Sequence, residues 1–278
     1  MVGTNTFTAG SVLPQVRPRL WLDATDPDSL VLAGNNVEEW LDKSLGSQNA
    51  TQPNPANQPE LVPAVQNGLP VLRFDPIAES YLNLRLRNQR NFHLFVVGRF
   101  QTNPAWPQGI FLSAAGLEAP FSGIEGGVFQ DSSLQPEGTL YTIVTPAPGV
   151  VVPVLMVPVA DAGVFTIFEW AQDTSATGRV QIGNNAVIET VYQGDTSDDF
   201  WDSTRQTFGQ PPPLPAAIGR QNQGINPMSS FNYLDGDIGE VLLYPEVLST
   251  GQRISVLNNL RAKWALGSPL GLPDAPEC

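Results

Sequence analysis

Proline and glycine interrupt this chain throughout: 26 of one and 25 of the other are scattered over 278 residues. Proline fixes φ and removes an amide donor, and glycine loosens the backbone, so neither extends a helix or a central strand. The runs left between them are short and rich in β-branched and aromatic residues. FHLFVVGRF (Phe92–Phe100) is the strongest. Residues 164–170 place Phe165 and Ile167 on one face and Val164, Phe168 and Trp170 on the other; residues 238–244 (IGEVLLY) form a third strand. One stretch has the other period. Ser249 stands as an N-cap with Gln252 three residues on, a capping box. Ile254, Leu257, Leu260 and Trp264 then share one helical face, and Gly267 sits where a C-terminal cap belongs. A second short helix is expected over residues 36–41. Many strands with one or two peripheral helices predict an all-β sandwich. The expected organisation is an arm over residues 1–19, the sandwich over 20–267 and a Pro-rich tail over 268–278.

Charge excludes several partners. There are 14 basic and 27 acidic residues, a net charge of −13. A nucleic-acid binder needs a cationic footprint, and an anionic membrane surface repels such a chain. The lone cysteine, Cys278, rules out a disulfide within the chain, and the lone histidine, His93, rules out a multi-histidine metal site. Residues 1–10 carry no basic and apolar signal pattern, so no secretory leader is expected. Residues 141–160 are uncharged and apolar over the length of a membrane span, but Pro146, Pro148, Gly149, Pro153 and Pro158 break any helix. They read as an extended segment, buried or at an interface through Val150, Val152, Val154, Met156 and Val159. No membrane insertion is expected.

Four stretches, in order, carry a resemblance. They are Leu20-Trp21-Leu22-Asp23-Ala24-Thr25-Asp26 with residues 37–44 (VEEWLDKS); residues 68–75 (GLPVLRFD) with Tyr81 and Leu82; the strand Phe92 to Arg99; and Ile218-Gly219-Arg220 with residues 234–241 (LDGDIGEV), Tyr244, Leu248-Ser249 and the helix ending at Trp264. Together they resemble the laminin-G-like branch of the concanavalin A-like lectin/glucanase superfamily, a module found in many phage virion proteins. The resemblance implies a jelly roll of two antiparallel sheets with one peripheral C-terminal helix. It says little about function, because such a fold hosts lectins, glycosidases, adhesion modules and viral structural proteins.

The residues themselves offer few catalytic frames. Retaining glycosidases of that superfamily carry Glu-x-Asp-x-x-Glu, with two carboxylates about 5–5.5 Å apart. Asp235-Gly-Asp237-Ile-Gly-Glu240 is similar, but an aspartate replaces the first glutamate. A strand of period two also puts Asp237 and Glu240 on opposite faces unless a bulge intervenes. The other reading is a turn aspartate followed by a strand whose Glu240 is hydrogen-bonded near the helix. His93 lies inside a strong strand with no serine or cysteine motif beside it, and reads as a packed or surface histidine. The acidic stretch Asp195, Asp198, Asp199 and Asp202 is the calcium candidate; its spacing matches no recognised loop, and a solvated acidic loop is the competing reading. Trp106 and Trp201 are the candidate carbohydrate platforms. Arg73, Arg85, Arg87, Arg90 and Arg99 precede an arginine- and lysine-free acidic block, which pairs either with a neighbouring copy or within the sandwich.

Three functions compete. The first is a non-enzymatic structural protein of a virus particle, a capsid decoration or tail component of a bacteriophage. Its partners are copies of itself and other virion proteins, and its location is the virion. The second is a lectin-like adhesion module that binds surface glycans. The third is a glycoside hydrolase, disfavoured by its incomplete frame. No cofactor other than calcium is expected.

Overall fold

The computed structural model describes residues 16–86, 91–101, 108–115, 123–129, 139–147, 150–156, 161–173, 175–194, 216–220 and 233–271. In the strands between residues 108 and 156 it describes the backbone, with the side chain of Leu140.

Short strands follow one another in chain order: β1 (Leu20–Asp23), β2 (Leu30–Ala33), β3 (Asn36–Trp40), β4 (Ala50–Thr51), β5 (Glu60–Gln66), β6 (Leu69–Phe74), β7 (Leu82–Leu84), β8 (Phe92–Phe100) and β9 (Gln108–Ala115). Then come β10 (Gly123–Phe129), β11 (Thr139–Ala147), β12 (Val150–Met156), β13 (Thr166–Gln172), β14 (Gly178–Asn184), β15 (Val187–Gly194), β16 (Ala216–Ile218) and β17 (Gly236–Tyr244). The helix α1 (Thr250–Trp264) ends the fold.

All pairings are antiparallel and build two layers. In the first, β17 pairs with β8 on one side and with β6 and then β1 on the other. The ladder continues from β8 through β13 and β14 to β15. The second layer runs β2, β3, β4, β7, β16, β9, β10, β11, β12. Strand β5 joins the layers, pairing with β6 and meeting β3 at Asn36 opposite Glu60. This is the expected sandwich.

Alternation along the strands makes two apolar clusters. Leu94 and Val96 of β8, Phe168 and Trp170 of β13, and Val241 and Leu243 of β17 face the second layer and meet Trp40, Leu82, Leu84 and Ile218. The residues between them point outward. Phe95, Val97, Ile167, Leu242 and Tyr244 pack under Val256, Leu257, Leu260 and Trp264 of α1. The first layer is therefore covered on both faces. Phe165 and Ile167 fall on the helix side and Phe168 and Trp170 on the inner side, as expected, while Val164 precedes the strand and is exposed. The start of the tail also joins the helix side: Asn258 of α1 exchanges two hydrogen bonds with the backbone of Leu270.

Two sequence expectations are corrected. Residues 36–41 are not helical. They hold β3, in which Val37 and Trp40 are both buried. Pairing with β2 skips Glu38, since Val31 faces Glu39 and Leu32 faces Val37. That bulge turns two residues three apart toward one core. At the end of α1 the left-handed cap is Ala265 (φ 53°), with the Leu266 amide donating to the Arg261 carbonyl at 3.0 Å; Gly267 follows with its own positive φ. The N-terminal capping box of Ser249 and Gln252 is present as expected.

Candidate functional site

The glycosidase-like string lies under the helix. Along β17 the register with β8 skips Gly239: Ile238 faces Gly98 and Glu240 faces Val97. The bulge brings Asp237 and Glu240 onto the same outer face, where a regular strand would separate them. A Cβ on Gly239 would stand 2.3 Å from the Trp264 ring, so only glycine lets the helix end settle there.

Both carboxylates are committed to other groups. Fully buried Asp237 accepts from Arg73 Nε at 2.8 Å and Arg99 Nε at 2.7 Å. Glu240, 4% exposed, accepts from Trp21 Nε1 at 2.9 Å, Trp264 Nε1 at 2.8 Å and Lys263 Nζ at 2.8 Å. Lys263 also reaches Asp23 at 2.7 Å, and Lys43 bridges Asp23 and Asp26. Burial pushes Glu240 above the ordinary carboxylate value, aided by Asp23 and opposed by Lys263 and Trp264. At Asp23 burial acts the same way, but Lys263, Lys43 and Thr25 outweigh it and hold the group down. Burial, then Glu240, raises the Tyr244 phenol. The residues that carry the laminin-G-like resemblance thus converge on one clamp between β1, β17 and the C-terminal end of α1. The expectation that Glu240 is hydrogen-bonded near the helix is met.

His93 is packed, 1% exposed and stacked on Phe95 at 4.6 Å. Its Nδ1 accepts from the Leu248 amide at 3.3 Å, so the proton sits on Nε2, which donates to Glu169 at 2.7 Å. Arg253 of α1 forks onto both oxygens of Glu169. Burial opposes ionisation of Glu169, yet the bonds from His93 and Arg253 and the Arg253 charge together hold it below the ordinary value. The basic block does not simply meet the acidic block that follows it: Arg73 and Arg99 pair with Asp237, while Glu169 of the acidic block takes Arg253.

An open groove lies elsewhere, over the outer face of the second layer. It has a volume of about 870 Å³ and is lined by Arg19, Ser47, Asn49, Thr51, Asn83 and Arg85, with Gln48 in its wall and no acidic residue among the described lining residues. Thr51 and Asn83 face each other across β4 and β7, whose alternate residues Ala50, Leu82 and Leu84 are in the core. The loop beside them is held by Asp42. Its carboxylate accepts from the amides of Trp21, Ser44 and Gln48 and from the Ser44 hydroxyl at 2.8–2.9 Å. Gly46 lets the loop close, since a Cβ there would stand 2.7 Å from the Arg19 carbonyl. Gln48 donates to that carbonyl at 2.9 Å, while its buried Oε1 has no partner among the described residues. Asn83 links the groove to Arg220, whose guanidinium lies 3.6 Å over the Tyr81 ring.

Trp106, Trp201 and the calcium candidates Asp195, Asp198, Asp199 and Asp202 lie outside the described residues, as do Val159, Arg87 and Arg90. Val150, Val152, Val154 and Met156 lie on β12, an extended strand as expected, whose backbone alone is described. Among the described residues no cluster of histidine, cysteine and carboxylates could hold a metal, and no helix is long and apolar enough to cross a membrane. Sequence reasoning missed the groove. Its lining comes from three separate segments without a motif; the one signal was Arg85, noted only as part of a basic block.

No family model and no curated protein matches the sequence. Solved structures match the chain at low identity. Trypanosoma rangeli sialidase, in complex with the inhibitor DANA, is 13% identical, with 89% of this chain covered, 34% of that chain covered and a TM-score of 0.49. The binding domain of botulinum neurotoxin DC, in complex with SialylT, is 9% identical over 87% of this chain and 50% of that chain, with a TM-score of 0.48. The chain therefore spans about half the length of the toxin domain and about a third of the sialidase.

Proposed function

We propose that this chain is a non-enzymatic recognition module that holds an oligosaccharide in the groove over β4 and β7. One observation carries the reading: the groove presents pre-positioned amides, hydroxyls and guanidinium groups on a rigid face. Its size falls within the about 300–1,000 Å³ usual for small-ligand sites. Sugar hydroxyls both donate and accept, and the side-chain amides of Asn49 and Asn83 offer both roles. Asp42 fixes the loop beforehand, so little ordering accompanies binding. The paired acids that would suggest hydrolysis are engaged by arginine, lysine and indole groups beneath α1. The test is a glycan array probed with the whole chain and with the groove-filling variant Thr51→Trp. Binding by the first and loss in the second, at an unchanged melting temperature, supports the module. Release of reducing ends from a bound oligosaccharide overturns the non-enzymatic reading.

A second reading, a multi-copy structural part such as a capsid decoration or tail component of a phage particle, is favoured by one observation. Strand β12 pairs with β11 alone among the described residues, leaving an uncharged edge of seven residues. A copy or another virion protein could add a strand there. Light scattering checks it: an assembly that Val154→Asp dissociates supports this reading, and a monomer at high concentration removes it.

A further inference from the structure

We infer that the groove selects an acidic oligosaccharide, its carboxylate or sulfate group held by Arg19 and Arg85. This rests on the carbohydrate reading above and names the ligand class within it.

Charge is distributed unevenly in this protein. The chain carries −13 overall, so its surface at large repels anions. Five of the eleven described lysines and arginines, Lys43, Lys263, Arg73, Arg99 and Arg253, each pair with a carboxylate. Arg19 and Arg85 do not. Neither side chain has a hydrogen-bond or ion-pair partner among the described residues, and both line the same groove. Two arginines unpaired among the described residues, in a wall whose described residues include no acid, make a local positive site in a negative molecule. A neutral sugar needs no such site, whereas an anionic group gains charge-assisted bonds from it.

The nearest acids are engaged with the loop rather than with the two arginines. The Asp42 carboxylate is turned into the loop and accepts four hydrogen bonds there, and Glu39 accepts from Asn49. Those bonds hold the loop that carries Ser47 and Gln48. Guanidinium groups suit the task because their planar fork matches carboxylate and sulfate oxygens, giving charge-assisted bonds about twice as strong as neutral ones.

Calorimetric titration with three tetrasaccharides tests this: a galacturonate oligomer for the carboxylate, chondroitin sulfate for the sulfate ester, and a neutral glucan. At least one acidic probe should bind about tenfold more tightly than the neutral one. That preference should fade from about 50 mM to about 500 mM salt as screening lengths shorten. Arg85→Ala should remove it at an unchanged melting temperature, while Arg17→Ala, an exposed arginine outside the groove, should leave it intact. Equal binding of all three probes, indifferent to Arg85→Ala, overturns the inference and leaves the carbohydrate reading standing. Binding of none, with the fold intact, overturns that reading itself.

Discussion

Gly239 and Glu169 show how single side chains hold the helix to the sheet. Without a Cβ, Gly239 allows both a bulge and the seat of Trp264; adding a methyl group 2.3 Å from that ring forces the indole or the strand to move. Gly239→Ala should lower stability by about 1–3 kcal/mol, the usual cost of overpacking, measured by urea unfolding. Glu169 acts through charge. Its folded-state pKa is depressed, so its contribution is complete above the ordinary value of 4.5 and is lost as pH falls through the lower folded value. Glu169→Gln should therefore destabilise the protein at neutral pH by about 3 kcal/mol, because partly buried Arg253 loses its counter-charge. It should also flatten the acid limb of the stability curve, which thermal melts across pH would reveal.

Period is the property that elements disclose, and bulges are where it misleads. Phe92–Phe100 and the capped helix obey their periods and could be recognised from the sequence alone. Residues 36–41 could not: Val37 and Trp40 are three apart, a helical spacing, and only the skipped Glu38 reconciles them with a strand. The same device at Gly239 puts Asp237 and Glu240 together, against their spacing. Bulges depend on the partner strand, and the partner is remote in sequence. The helix end carries a testable imperfection. Ala265 adopts a left-handed conformation that costs an L-residue roughly 1–2 kcal/mol and glycine little. Ala265→Gly should raise stability by about 1 kcal/mol, read from the shift of the thermal midpoint.

Across the whole molecule, the acids and bases divide between two tasks. Asp23, Glu169, Asp237 and Glu240 are buried beside lysines and arginines on the helix side of the first layer. Arg19 and Arg85 have no carboxylate partner among the described residues and lie on the far side of the second layer. The fold class and the place of Glu240 near the helix were legible because the LWLDATD, WLDKS and GDIGEV strings are contiguous; its lysine and indole partners were not. The groove was not, because antiparallel pairing assembles it from residues 19, 46–53 and 83–85, and no spacing announces that. The central claim is that the motif acids hold the fold while the groove recognises the ligand. One calorimetric comparison tests it: the acidic tetrasaccharide titrated into the unaltered chain, Glu240→Gln and Arg85→Ala, each at a temperature where it is folded. The expected result is a lowered melting temperature with retained affinity for Glu240→Gln, and an unchanged melting temperature with lost affinity for Arg85→Ala. The reverse pattern, affinity lost with Glu240→Gln and kept with Arg85→Ala, would contradict the account.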